Sequence, residues 1–278
     1  MISKYVLVGG MVIIAVVAFL AGLYTSPIVM PAAQAGDPIW DNIVKSGKIR
    51  VGTEPGWPPY EFLNTTTSQI VGFEIELTEM IAQNLSLTVE WHNVGFDTII
   101  PSIQSKELDL GASGFSIERQ RLDVVQFTMP HSITEGQIIM LNSTKVAKGI
   151  TTLSSMSDIA TMGLKVGTQT GTTEENELLS SLPSTLVKSY TTYLDAVTAM
   201  KSSLIDCVYA ETPITSDWIL EAEQQNQEPI VIIYRRPYYP VAFVANKDAN
   251  TLVAKINGAL ADIIAEGKLD ALKLKWKC

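Results

Sequence analysis

Short β-rich runs alternate with stretches of helical period along most of the 278 residues, and this alternation limits the fold more than any other feature. KIRVGT (48–53) is followed by FEIELTEMIAQNL, where Phe73, Leu77, Met80, Ile81 and Leu85 fall on one stripe, and then by LTVEWHNV, FDTIIPSIQS and LDLGAS. A second series starts at LKVGTQ and passes through TTEENELLSSL, TLVKSY, YLDAVTAMKSS, IDCVYA and PITSDWILEAEQQ. Strands joined by crossover helices run parallel, so the pattern predicts α/β architecture with parallel strands. The polar connection after QIIML separates the two series, which makes two α/β lobes the economical reading. PVAFVAN reads as a further strand, and LVAKINGALADIIAEG and KLDALKLKW as closing helices.

In open α/β sheets, ligands bind beyond the carboxyl ends of the strands. Four unusual segments fall at such ends: GTEPGWPPYEF, ASGFSIERQR, TQTGTTEE and AETP, two from each series. They predict a single cleft between the lobes.

Charge and composition exclude several functions. With 20 Lys and Arg against 29 Asp and Glu, the net charge of −9 argues against nucleic acid, whose phosphates call for basic patches. Two cysteines (Cys207, Cys278) and two histidines (His92, His131) are too few for a zinc site or a disulfide framework, and no metal or cofactor is expected. Cys207 reads as a small buried hydrophobe, with a bridge to Cys278 left open. No G-x-S-x-G, H-E-x-x-H or Walker loop is present.

Residues 5–24 carry no charge, follow Lys4 and precede a Pro/Ala-rich stretch ending AAQAG. The segment is long enough to span a bilayer, while Ala33-Gln34-Ala35 fits a signal-peptidase site, so cleaved signal and retained anchor both stay open. Either way the chain is expected to be exported, in the periplasm or at the outer face of the cytoplasmic membrane, with 1–36 as leader. Asn64, Asn84 and Asn142 stand in N-glycosylation acceptor patterns.

The succession IRVGTEPGWPPYEF, VGFEIELTEMIA, FDTIIPSIQSKELDL, SGFSIERQRLDVVQFT, KVGTQTGTT, IDCVYAETP and KLKW, over roughly residues 40 to 276, resembles the polar amino-acid family of periplasmic solute-binding proteins, the external receptors of ABC importers. The resemblance implies a type II periplasmic-binding-protein-like fold with two hinge strands near His131 to Glu135 and Pro237 to Val241. One lobe would comprise 37–132 plus 241–278 and the other 133–240. It implies a monomeric, non-catalytic receptor that closes on a free amino acid and hands it to membrane permease subunits. Two other functions stay on the table: a cyclohexadienyl dehydratase on the same scaffold, and a ligand-sensing ectodomain.

Carried onto this sequence, the resemblance gives Arg121 the ligand α-carboxylate, a role suited to a permanently charged guanidinium fork. Spacing from Gly114 and to Phe127 selects it over Arg119. Ser116 and the backbone of Ser113 and Gly114 would add hydrogen bonds to the same group, as would an N–H of Thr172 or Thr173 at a helix start. Thr172 and Glu175 also match a T-x-x-E capping box. Glu211 stands where the family usually has the aspartate for the α-amino group, one methylene longer. Trp57 and Phe96 would cover the aliphatic stem. Glu54, beside Gln169, would meet the side-chain terminus and favour arginine or lysine, then glutamine and histidine. Tyr60 and Phe62 are expected to point into the core of the first lobe.

Overall fold

The computed structural model describes residues 37–278. The apolar leader and its predicted signal or anchor helix lie outside the described residues, among which no helix is long and apolar enough to cross a membrane. Asp37 caps α1 (Pro38–Ser46) by accepting from the Ile39 and Trp40 amides, and Gly47 ends it in the left-handed region. Next come β1 (Lys48–Thr53) and three short strands, β2 (Gly56–Trp57), β3 (Glu61–Leu63) and β4 (Ile70–Val71), which pair into a small antiparallel sheet. The chain continues through α2 (Phe73–Asn84), β5 (Thr88–Asn93), α3 (Phe96–Gln104), β6 (Leu110–Gly111), α4 (Arg119–Leu122) and β7 (Val125–Phe127). A long strand, β8 (Ser132–Leu141), leads to α5 (Asn142–Ala147), α6 (Ser157–Thr161), β9 (Val166–Gln169), α7 (Thr173–Ser181), β10 (Val187–Tyr190) and α8 (Tyr193–Lys201). The remainder is β11 (Cys207–Glu211), α9 (Ile214–Gln224), β12 (Ile230–Val241), β13 (Val244–Asn246), α10 (Asn250–Ala265) and α11 (Lys268–Trp276).

Two five-stranded sheets build a two-lobed α/β fold. The first has the order β5-β1-β6-β13-β7 and the second β10-β9-β11-β8-β12. β1 is parallel to β5 and β6, and β9 to β10 and β11, as crossover helices require. The expectation of parallel strands holds only there. β8 runs antiparallel to β11 and β12, and β13 antiparallel to β6 and β7. The reason is topological: the chain enters the second sheet along β8 and leaves it along β12, so these two must run in opposite senses, paired from Ser132–Val241 to Leu141–Ile230.

Phe73, Leu77 and Ile81 of α2 are buried as their stripe predicts, with Met80 and Leu85 half-buried. The buried face also takes in Glu74, a carboxylate with no exposed surface. Its Oε1 lies 2.8 Å from His131 Nε2, and its Oε2 accepts the Gly114 amide at 3.0 Å. Polar partners, not periodicity, make that burial tolerable. Tyr60 is buried as expected, but Phe62 is only half-buried, its ring edge-on to Trp276 of α11. The turn after Trp57 breaks the expected alternation beyond Tyr60 and sends Glu61 inward in place of Phe62. Cys207 is buried, Cys278 exposed, and both are free thiols.

Candidate ligand-binding cleft

A cleft lies where the two lobes meet, with about 340 Å³ of space not filled by atoms, counting the part open to solvent. Its lining includes every residue predicted for the site: Glu54, Trp57, Phe96, Ser113, Gly114 and Ser116 with Arg121 from one lobe, and Gln169, Thr172, Thr173 and Glu211 from the other. Most sit at or just past the carboxyl end of a strand or at a helix start, while Ser116 lies on the loop after β6 and Arg121 within α4. Three further residues complete the wall, Glu61, Glu174 and Tyr193.

Arg121 is buried on the short α4, whereas Arg119 beside it is exposed. Its guanidinium donates from Nη1 to the Ser116 carbonyl at 3.0 Å and from Nη2 to the Gly171 carbonyl at 3.1 Å, and Nε lies 3.1 Å from Glu118 Oε1. The Phe96 and Phe115 rings stack at 4.9 Å, with the Arg121 Cζ 5.6 and 5.3 Å from their centroids. Aromatic faces and carbonyls fix the fork, and one N–H on each terminal nitrogen is left over.

Glycine is required where the Gly114 loop passes Trp57. Its φ is +62°, and a Cβ there would stand 2.3 Å from the indole Cζ3. The Ser113 hydroxyl accepts the Glu54 amide at 3.0 Å and lies 3.4 Å from Glu61 Oε1. The Glu61 side chain is wholly buried, and its Oε2 has no hydrogen-bond partner. Neither Glu54 nor Glu61 has a cationic partner among the described residues. Burial raises the pKa of Glu54, the Gln169 amide 3.4 Å away only partly opposing it. Burial, then the nearby carboxylates of Glu74 and Glu54, hold Glu61 well above the usual carboxylate range.

On the facing lobe Thr172 caps α7, its hydroxyl accepting the Glu175 amide at 3.2 Å. Glu175 reaches back to the Gly171 amide at 2.7 Å, one residue before the position a capping box would take. The Thr172 N–H therefore keeps no side-chain acceptor from Glu175. The Thr173 hydroxyl is buried without a partner.

Glu211 ends β11, and its Oε1 accepts from Ser116 Oγ at 2.8 Å and from Arg236 Nη2 at 2.9 Å. The same buried guanidinium lies 3.1 Å from Glu174 Oε1 and 3.0 Å from Glu177 Oε1. Burial works against the Arg236 charge, but the surrounding acids Glu174, Tyr209, Glu211 and Glu177 outweigh it and raise its pKa. Burial and the neighbouring Glu211 push Glu174 up to about 8 although Arg236 opposes the shift. Tyr193 donates its hydroxyl to Glu174 Oε2 at 3.1 Å.

Several of these bonds cross between lobes: Arg121 to Gly171, Ser116 to Glu211, and Gln169 to Glu54. Gly171, with φ +80°, packs against Asp97 so closely that a Cβ would lie 2.9 Å from the Asp97 Cβ. The rims are thus in contact around the cleft.

An α/β fold of two lobes meeting at a polar cleft is the architecture expected of a solute-binding protein. The sequence profile of the bacterial extracellular solute-binding proteins, family 3, matches residues 49–277, and the chain belongs to that family. It is therefore a binding protein rather than an enzyme. It is 27% identical over 231 residues, 82% of this chain and 90% of the other, to ABC transporter arginine-binding protein 1 of Escherichia coli K12. A probable histidine-binding protein of Campylobacter jejuni is 27% identical over 82% of this chain and 84% of its own length. An ancestral arginine-binding protein solved with arginine bound superposes with a TM-score of 0.73 at 29% identity, covering 83% of this chain and 98% of that one.

Proposed function

We propose that the chain is the extracytoplasmic receptor of an ABC importer and binds a free cationic amino acid in this cleft, L-arginine first, then lysine, with glutamine and histidine weaker. The observation that carries the ligand class is the pair Glu54 and Glu61, two cleft carboxylates without a protein cation, in a site that also holds a partly free guanidinium at Arg121. A buried carboxylate without a partner is costly, and a ligand that brings its own positive charge relieves the cost. A planar guanidinium can donate to both carboxylates at once, which an ammonium does less well.

Arg121, with the Gly114 loop and the start of α7, takes the α-carboxylate, and Glu211 takes the α-ammonium. Trp57 and Phe96 cover the aliphatic stem. β8 and β12, which pair between Ser132 and Val241, act as the hinge, dividing the chain into 37–132 with 241–278, and 133–240. Ligand contacts from both rims form together only when the lobes are shut, so binding shifts the population towards closure. The leader 1–36 exports the chain as signal or anchor, and the closed monomer delivers its ligand to the permease.

Calorimetry of the purified protein, freed of carried-over solute by unfolding and refolding, against the twenty amino acids tests this reading. Arginine is expected to bind most tightly, and acidic amino acids not at all. Tightest binding of aspartate or glutamate, or no heat with any amino acid, rejects it.

A further inference from the structure

Among the described residues, Arg236 is the one buried cation behind the second-lobe wall, and nothing in its local sequence marks it. It follows Arg235, whose side chain is exposed and pairs with Glu135 on the outer side of the strand. The β8–β12 register shifts between Arg235 and Tyr238, so Arg236 falls in a bulge of the strand that leaves the second lobe. A bulge re-aims one side chain relative to its neighbours, and here it turns the second arginine inward. Gly136 on β8 makes the room, since a Cβ there would stand 2.8 Å from Arg236 Nε. The guanidinium then lies 4.2 Å from the Tyr239 ring centroid and meets Glu174, Glu177 and Glu211.

Two features of Glu211 matter. Its two protein donors, Ser116 Oγ and Arg236 Nη2, both bond Oε1. Oε2 receives neither, and the residue lines the cleft. A glutamate has one more rotatable bond than an aspartate, so without an anchor its carboxylate samples several positions. Two charge-assisted or hydroxyl bonds on one oxygen remove that freedom and leave the other oxygen at a fixed place.

We propose that Arg236 is the positioning residue of the ammonium subsite: by pinning one oxygen of Glu211 it fixes the other for the ligand α-ammonium, and so decides whether the cleft distinguishes an amino acid from the same acid lacking its amino group. This rests on the amino-acid reading above. The electrostatic balance agrees with it. One guanidinium faces three carboxylates, so the cluster keeps an excess of negative charge even if Glu174 carries a proton, and a ligand ammonium completes it.

The test is a ratio of affinities. Titrate wild type and Arg236→Met with L-arginine and 5-guanidinopentanoate, and with L-glutamine and its desamino acid, following thermal unfolding in parallel. Wild type is expected to prefer each amino acid over its desamino partner by at least a hundredfold, and Arg236→Met to lose at least tenfold of that preference. A structural ion pair alone would weaken both ligands of a pair equally, and an unchanged ratio overturns the proposal. Should Arg236→Met fail to fold, Gly136→Ala, which displaces the guanidinium without removing its charge, decides: a ratio reduced threefold or more supports it, an unchanged one overturns it. Wild type that binds neither amino acid overturns the amino-acid reading itself and this inference with it.

Discussion

The cleft contains two pairs of carboxylates that differ in one respect. Glu174 and Glu211 on the second lobe share the buried guanidinium of Arg236, whereas Glu54 and Glu61 on the first have no cationic partner among the described residues. Compensated carboxylates belong to the architecture, and removing one takes an ion-pair partner from a buried guanidinium. Under the proposed function, the uncompensated ones take their countercharge from the ligand. Arg121 lies between these cases, since protein acceptors hold it in place while part of its fork stays free.

The largest effect expected from breaking this arrangement is at Arg121. Arg121→Ala removes the group proposed for the α-carboxylate, which every free amino acid carries, and should cost about 3 kcal/mol or more, over a hundredfold in Kd for every amino acid bound. Calorimetry with arginine and glutamine checks it. A loss confined to arginine would place Arg121 at the side-chain end.

Glu61→Gln and Glu211→Gln sharpen the contrast between the pairs. The first neutralises a buried carboxylate with no cation, so the unliganded protein should gain about 1 kcal/mol, raising Tm by about 2–4 °C, while arginine weakens roughly tenfold to a hundredfold and glutamine hardly changes. The second replaces one of three carboxylates on Arg236 by an amide, leaves Glu174 and Glu177 in place, and should not raise Tm. Equal Tm changes in the two variants would show that the pairs are not different in kind.

A pH series probes the same contrast with a smaller swing. Glu61 and Glu174 have folded-state pKa values raised above the ordinary 4.5, Glu174 to about 8. Between 4.5 and those values the folded protein holds protons that the unfolded chain has released. Stability of the unliganded protein therefore falls as pH rises through this window. Arginine binding favours ionised Glu61, so its affinity should rise over the same range and binding should release protons, measured as a dependence of the heat on buffer ionisation enthalpy. Glu61→Gln should flatten the arginine profile, and glutamine should show little slope in either protein.

How far the sequence announced this site differs residue by residue. Glu54, Gln169 and Trp57 stand at strand ends and Arg121 on a short helix, all within recognisable motifs, and the structure gathers them in one cleft. Glu61 was hidden because alternation after Trp57 suggested Tyr60 and Phe62 as inward residues. The turn between β2 and β3 instead lets Tyr60 bury itself against Phe73, lays Phe62 on Trp276, and sends the carboxylate between them to the cleft. Arg236 was hidden because two arginines before a proline look like an exposed strand edge, and the register shift that turns one inward depends on a partner strand about a hundred residues earlier. The short strands β2, β3, β4 and β7 escaped for the simpler reason that two or three residues carry no period.

The smallest expected effect lies within the uncompensated pair itself. Glu54 is half-buried and has the Gln169 amide at 3.4 Å, whereas Glu61 is fully buried with an orphaned oxygen. Water and an amide dipole already screen part of the Glu54 charge, so a ligand cation gains less by approaching it. Glu54→Gln should weaken arginine and lysine about threefold to tenfold, less than Glu61→Gln does, and leave glutamine within about twofold. Titration of both variants with the three ligands ranks the two carboxylates directly. A larger loss at Glu54 than at Glu61 would mean that the ligand's positive end meets the rim of the cleft rather than its buried floor, and Glu61 would then need a proton, not a ligand, to explain its burial.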